Sequence, residues 1–305
     1  MSTQKTEPGR GSTETAPGQP PADIPCQPAQ STTALRRAVA YEWHHLRGLR
    51  STWILLSVAA ALAIGNGASL LLVSEAESAP SPAAVADALQ WSPTATQLPM
   101  LALLLITLGT SSVSTDLARG AARTTWLTAP SRTTAFAAKL CVAALLVSAT
   151  AVGTALIAGA TGASALALSG LPQPAWGQAV PALLRFVLVM ACWPVLAGSV
   201  AALVRNRAAT VLALVLWPLI IERLSGMLLG RLLNIDGLHE VLPFAAARAA
   251  MSGAPDTASH VTDAGFTQTL IGSGLDPWTG LIVHLLFAIA VAAAGAWAYC
   301  RREAA

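Results

Sequence analysis

The chain has little charge. Of its 305 residues only 11% are Asp, Glu, Lys or Arg, whereas 54% are hydrophobic. Soluble domains carry about 25% charged residues, so there is too little polar surface to cover a water-soluble globule. Lysine is scarcer still, with Lys5 after Gln4 and Lys139 after Ala138 and no other. A phosphate-binding loop needs Gly-Lys-Ser/Thr, so no nucleotide-hydrolysing domain is expected in this chain. The four cysteines (Cys26, Cys141, Cys192, Cys300) are scattered and have neither metal-ligand nor disulfide spacing.

Catalytic patterns are missing as well. "HEVLP", from His239, opens like a zinc-protease motif but has no second histidine at the required position. "GAS" and "GTS" lack the flanking residues of a nucleophilic serine. No paired-carboxylate site can be assembled. The chain is therefore read as a non-enzyme with no cofactor or metal of its own and no nucleic-acid partner.

Long apolar runs are abundant. Mean hydropathy is +0.59, and several runs reach about 20 residues, the length that carries a helix across the hydrocarbon layer. This predicts an all-α, polytopic membrane protein with six spans, at about 53–73, 96–113, 137–158, 180–204, 208–229 and 278–299. The third could extend towards Leu168, and the fifth could stop at Ile221 if Glu222 and Arg223 are not tolerated. Residues 1–31 are rich in Pro, Gly, Ser, Thr and Gln and are expected to be disordered. Residues 32–51 form an expected amphipathic helix lying in the membrane plane, and 52–302 the six-span domain.

Lys and Arg are retained on the cytoplasmic side of membranes. Fourteen of the eighteen fall before the first span, in the second-to-third and fourth-to-fifth connections, or in the tail. The first connection on the other side has three acids and no base. Both termini are thus expected in the cytoplasm, with the protein in the cell membrane.

One cytoplasmic segment, "DLARGAARTTWLTAPSR", lies between two strongly apolar stretches. Asp116, Arg119 and Arg123 are spaced i, i+3 and i+7 and share a helical face. Gly120 sits among them, and Pro130 limits the helix before Arg132. Such bases serve as topology signals or headgroup contacts in most loops; this layout also suits a short surface helix docking onto another protein.

Ahead of the first span, Leu35, Ala38, Val39, Trp43, Leu46 and Leu49 share one arc of a helical wheel, opposite Arg36, Arg37, His44 and Arg47. Glu42 falls inside the apolar arc. A carboxylate there is costly unless paired, so a partner is expected among Arg123, Arg205 and Lys139. Adjacent His44 and His45 point in different directions on a helix and are read as solvated.

Within the spans, Ala151, Ala155, Gly159 and Ala163, and likewise Ala61, Gly65 and Ser69, form small-residue ladders that let helices approach closely. Pro194 and Pro218 are expected to kink the fourth and fifth spans. Asn66, Glu222, Arg223 and His284 are the intramembrane polar groups, and such groups are candidates for a pathway or gate. After the fifth span, "GRLLNIDGLHEVLPFAAARAAM" is expected to hold a short helix, re-entrant or resting on the outer leaflet.

These residues resemble type-2 ATP-binding-cassette (ABC) transporter permeases. "AYEWHHLRGLRSTWILL", "LGTSSVSTDLARGAARTTWLTAPSRTTAFAAKL" and "LVLWPLIIERL" followed by "EVLPFAAARAAM" resemble three of their segments, in order, over Leu35 to Arg302. The family usually has Glu where this chain has Asp116, and other polar or basic residues in place of His44-His45. The resemblance implies a permease subunit of an exporter. It would pair with a second permease subunit, as homo- or heterodimer, and with a separate ATPase subunit that binds the ATP. It further implies that the in-plane helix with Glu42, and the segment bearing Asp116, Gly120, Arg123, Pro130 and Arg132, with Arg119, meet that ATPase. Two other classes stand beside it. A gradient-driven secondary transporter would want broken helices and paired acids at mid-membrane, where only Glu222 is near. A non-transporting membrane anchor or sensor partner would share the spans without the pump.

Overall fold

The computed structural model describes residues 31–74, 78–90, 100–118, 131–204, 206–234, 238, 241–251 and 275–301. Residues 1–30, expected to be disordered, and the segment 119–130 lie outside the described residues. Every regular element among the described residues is helical. In chain order these are α1 (Ser31–Gly48), α2 (Arg50–Ala68), α3 (Leu70–Val73), α4 (Pro82–Gln90), α5 (Met100–Ala118) and α6 (Arg132–Leu168). A 3₁₀ turn (Trp176–Ala179) leads into α7 (Val180–Val204), followed by α8 (Arg207–Leu216), a π turn (Trp217–Ile221), α9 (Glu222–Leu233), α10 (Pro243–Met251) and α11 (Pro277–Arg301).

Four of these stretches are long and apolar enough to cross a membrane: Arg50–Val73, Arg132–Leu168, Trp176–Val204 and Pro277–Arg301. Arg207–Ile221 and Leu224–Leu233, bent by 45°, make a fifth if they are one span. Leu101–Thr110, within α5, is a shorter apolar helix. Large side chains such as Leu145, Leu156, Leu184, Leu286 and Ile289 lie exposed on these helices, as they do on surfaces that meet lipid rather than water.

The helix ends follow local chemistry. Ser131 caps α6, its hydroxyl accepting from the Thr134 amide at 3.1 Å. Asn206 caps α8, its side-chain oxygen accepting from Ala208 and Ala209. α6 closes on Gly170, at φ +67°, with Leu171 N–H reaching Leu166 C=O and Gly170 N–H reaching Ala167 C=O. That is the double bond of a Schellman end, which needs a residue without Cβ strain. At 37 residues, α6 is about 55 Å long and outruns a hydrocarbon layer of about 30 Å. The helix that holds the third span thus continues to Leu168.

α7 is the central helix, packing against α5, α6, α10 and α11. Its Phe186, Met190, Trp193 and Leu196 form the middle of the main core with Leu101 and Leu105 of α5. It runs through Pro194 without a break. At Pro218, by contrast, the ladder widens into the π turn, since proline brings no N–H.

Small residues set the close crossings, but not all those expected. In α2 the buried seam is Ala59, Ala63 and Gly67, whereas Ala61 and Gly65 are exposed. Both sets repeat every four residues, so spacing could not choose between the two faces. Gly67 decides it: a Cβ there would lie 2.2 Å from the Ala158 carbonyl oxygen of α6. Likewise Gly295 of α11 lies against Ser199 of α7, at 2.6 Å from a built Cβ.

Candidate functional site

Two clusters of buried polar groups hold the bundle, one towards each end of α11. The first joins α1, α6 and α11. In α1 the face packed on α6 centres on Glu42 and Leu46, which are 3% and 2% exposed. Glu42 therefore enters an apolar contact, and Lys139 of α6, also 3% exposed, donates from Nζ to its Oε1. A buried acid and base are each expensive alone and tolerable together. Of the three expected partners, Lys139 is the one among the described residues, and it makes the pair; Arg123 and Arg205 lie outside them. Glu42 Oε2 lies 4.0 Å from His45 Nδ1. Trp43, expected on the apolar arc, is 43% exposed, because α6 covers only the strip of that arc around Glu42 and Leu46.

Arg132 opens α6 and donates from Nη1 to the Cys300 carbonyl at 3.1 Å, near the end of α11. A guanidinium at a helix C-terminus meets both free carbonyls and the negative dipole end. One turn on, Phe136 stacks on the fully buried Tyr299 at 4.9 Å. Asp116 sits in the last turn of α5. Arg119, Gly120, Arg123 and Pro130 lie outside the described residues, as does the surface helix expected there.

The second cluster surrounds α10, the short helix expected after the fifth span. Apart from Arg248 its residues are small or apolar, and seven of nine are buried, as befits a helix packed on most sides. Such a helix has amides and carbonyls at its ends that need partners. Glu222, the first residue of α9, supplies the N-terminal acceptor: its Oε1 accepts from Phe244 at 3.0 Å and Ala245 at 2.7 Å. His284 of α11 hydrogen-bonds the Pro243 carbonyl through Nδ1 at 2.9 Å. At the other end Arg185 of α7 donates from Nε to the Ala250 carbonyl at 2.8 Å. Its guanidinium also lies over the Trp278 ring, 5.3 Å from the centroid. An acid thus meets the positive end of α10 and a base the negative end. Trp193 and Phe287 pack on the Phe244 ring at 5.4 and 5.8 Å.

Glu222 therefore does not meet water, and it stands where the helix bends by 45°. It is 4% exposed, and the helix continues past it to Leu233. Arg223 is helical in the next position. Asn66 belongs to neither cluster; its Nδ2 donates to the Ala88 carbonyl near the end of α4. α4 itself lies in a connection for which no helix was expected.

Reading the sequence missed Arg185. A lone base inside an apolar run is a signal by itself, and it could have been found that way. Phe244 and Ala245 had no such signal, because their part is played by backbone. Compared with known protein-family models and with curated proteins, the chain matches none.

Proposed function

We propose that the chain is the membrane-spanning permease subunit of a type-2 ABC exporter, driven by a separate ATPase subunit. In this reading α2 with α3, α5, α6, α7, α8 with α9, and α11 are its six spans. α1 lies in the membrane plane, and both termini are cytoplasmic. Two such units, identical or different, would line the pathway.

The observation that carries the reading is the junction of α1, α6 and α11. Glu42–Lys139 ties the lead-in helix to α6, and Arg132 ties the start of α6 to the end of α11. That junction adjoins the Asp116–Arg132 segment in sequence, so one surface could take a push and pass it into the 37-residue α6. α10 supports the same reading from the far side. His284 and Cys300 are about 24 Å apart along α11, which puts the α10 clasp near the opposite end of that helix. ATP binding in the partner would then rock the spans as rigid bodies around that arrangement. The sparse charge in the spans suits a hydrophobic or amphipathic cargo.

The test is co-purification from the protein's own cell membranes in mild detergent, comparing wild type with Asp116→Ala/Arg123→Ala. An ATPase that accompanies wild type and is lost from the double variant is the expected result. An ATPase bound equally to both removes the docking assignment. Absence of any ATPase removes the permease reading, leaving a gradient-driven carrier or a membrane anchor.

A further inference from the structure

α1 has two exposed flanks of different chemistry. Its packed face is spent on α6: Glu42 and Leu46 are buried there, while Leu35 and Trp43 of its apolar arc stay exposed. What remains is divided by that contact. On one side Arg36, Trp43 and Arg47, spaced i, i+7 and i+11, form a single stripe of the helix surface. All three are exposed. The stripe runs into the corner between α1 and α2, where Trp53 donates from Nε1 to the Arg47 carbonyl at 3.0 Å. There Trp53 and Arg50 are exposed as well. Arg37 and His44 lie about a quarter-turn from the stripe, opposite the packed face, and Tyr41, stacked on His45 at 6.4 Å, lies beyond them on the far flank.

We propose that the Arg36–Trp43–Arg47 stripe, continued by Arg50 and Trp53, is a binding surface for anionic lipid headgroups. An indole between guanidinium groups fits the boundary between acyl chains and phosphates, where tryptophan rings settle and arginine stems lie along apolar surface. Among the described residues none of its bases forms an ion pair. Glu42 is the one acid of α1, and it is buried against Lys139, so the exposed charged residues of the helix are all basic. A cluster of bases beside a first span attracts the anionic cytoplasmic leaflet, and the attraction grows with each base. The inference rests on α1 lying in the membrane plane, and not on the ATPase.

The full-length protein, purified into nanodiscs of phosphatidylcholine with phosphatidylglycerol, tests it by native mass spectrometry of the lipid retained. Arg36→Gln/Arg47→Gln should retain phosphatidylglycerol roughly tenfold or more weakly, while Arg36→Lys/Arg47→Lys keeps it. Arg37→Gln/His44→Gln, a quarter-turn away and opposite the packed face, should change retention by less than about twofold. Unchanged retention in the stripe variant, or an equal loss from Arg37→Gln/His44→Gln, overturns the proposal. ATPase co-purification is read from the same samples. Loss of the ATPase from Arg36→Gln/Arg47→Gln at full lipid retention would make the stripe a protein-docking surface and overturn the lipid assignment alone. Selective lipid loss with no ATPase in any sample would uphold the stripe while the permease reading fails.

Discussion

Glu42 and Lys139 bury opposite charges where neither could stay alone. Removing one partner leaves an uncompensated charge in an apolar contact, so Lys139→Ala should destabilise the protein by about 3–5 kcal/mol. Glu42→Gln/Lys139→Met removes both charges and should recover most of that loss. Thermal unfolding in detergent measures both, and an unchanged midpoint for Lys139→Ala would show the pair to be idle. Glu222 works differently, because its partners are backbone amides. Glu222→Ala orphans the buried N–H groups of Phe244 and Ala245, at about 1–3 kcal/mol each. α10 should then loosen. A cysteine at Ala247, which is 3% exposed, should be shielded from a maleimide in the Ala247→Cys protein and labelled once Glu222→Ala is added. Glu222→Gln keeps an acceptor and should label at an intermediate rate. Equal labelling in all three would mean that the carboxylate does not seat α10. At this scale the sequence was informative about need and silent about choice. The wheel position of Glu42 called for a cation, but only packing could pick Lys139 from three candidates.

Among the elements, the α2–α6 crossing depends on backbone approach at one residue. Gly67→Ala would set its Cβ 2.2 Å from the Ala158 carbonyl oxygen, and backbone cannot swing aside as a side chain can. The helices must separate, and the melting temperature should fall by several degrees. Gly65→Ala meets nothing within 4 Å and gains helix propensity, so it should be neutral or slightly stabilising. Reversal of that order would assign the crossing to the Ala61–Gly65 face. Spacing marked Ala61, Gly65 and Ser69 as the close-approach face of α2, whereas the structure uses Ala59, Ala63 and Gly67, which repeat at the same interval. The π turn at Pro218 was legible as a break because proline lacks a donor; α7 carries Pro194 without one, held on most sides by its neighbours.

For the whole molecule, the two polar clusters sit towards opposite ends of α11. One gathers the lead-in helix with the start of α6 and the end of α11; the other clasps α10 by its backbone. If the six-span proposal holds, reporters fused to the N- and C-termini should both read as cytoplasmic in intact cells. Reporters on opposite sides would require an odd number of crossings and end the proposal.

Sequence alone determined the helical class and the apolar, membrane-like character of the long helices, because these depend on local matters such as run length and composition. It also identified which polar groups would be costly in an apolar setting. Only the tertiary structure decided their partners. Glu42 met Lys139, Arg185 met Ala250, and Glu222 met two amides more than twenty residues away. The desolvation cost of a buried group is a property of that residue and its neighbours in the chain. The group that offsets it comes from wherever another helix happens to cross, and no local spacing encodes that.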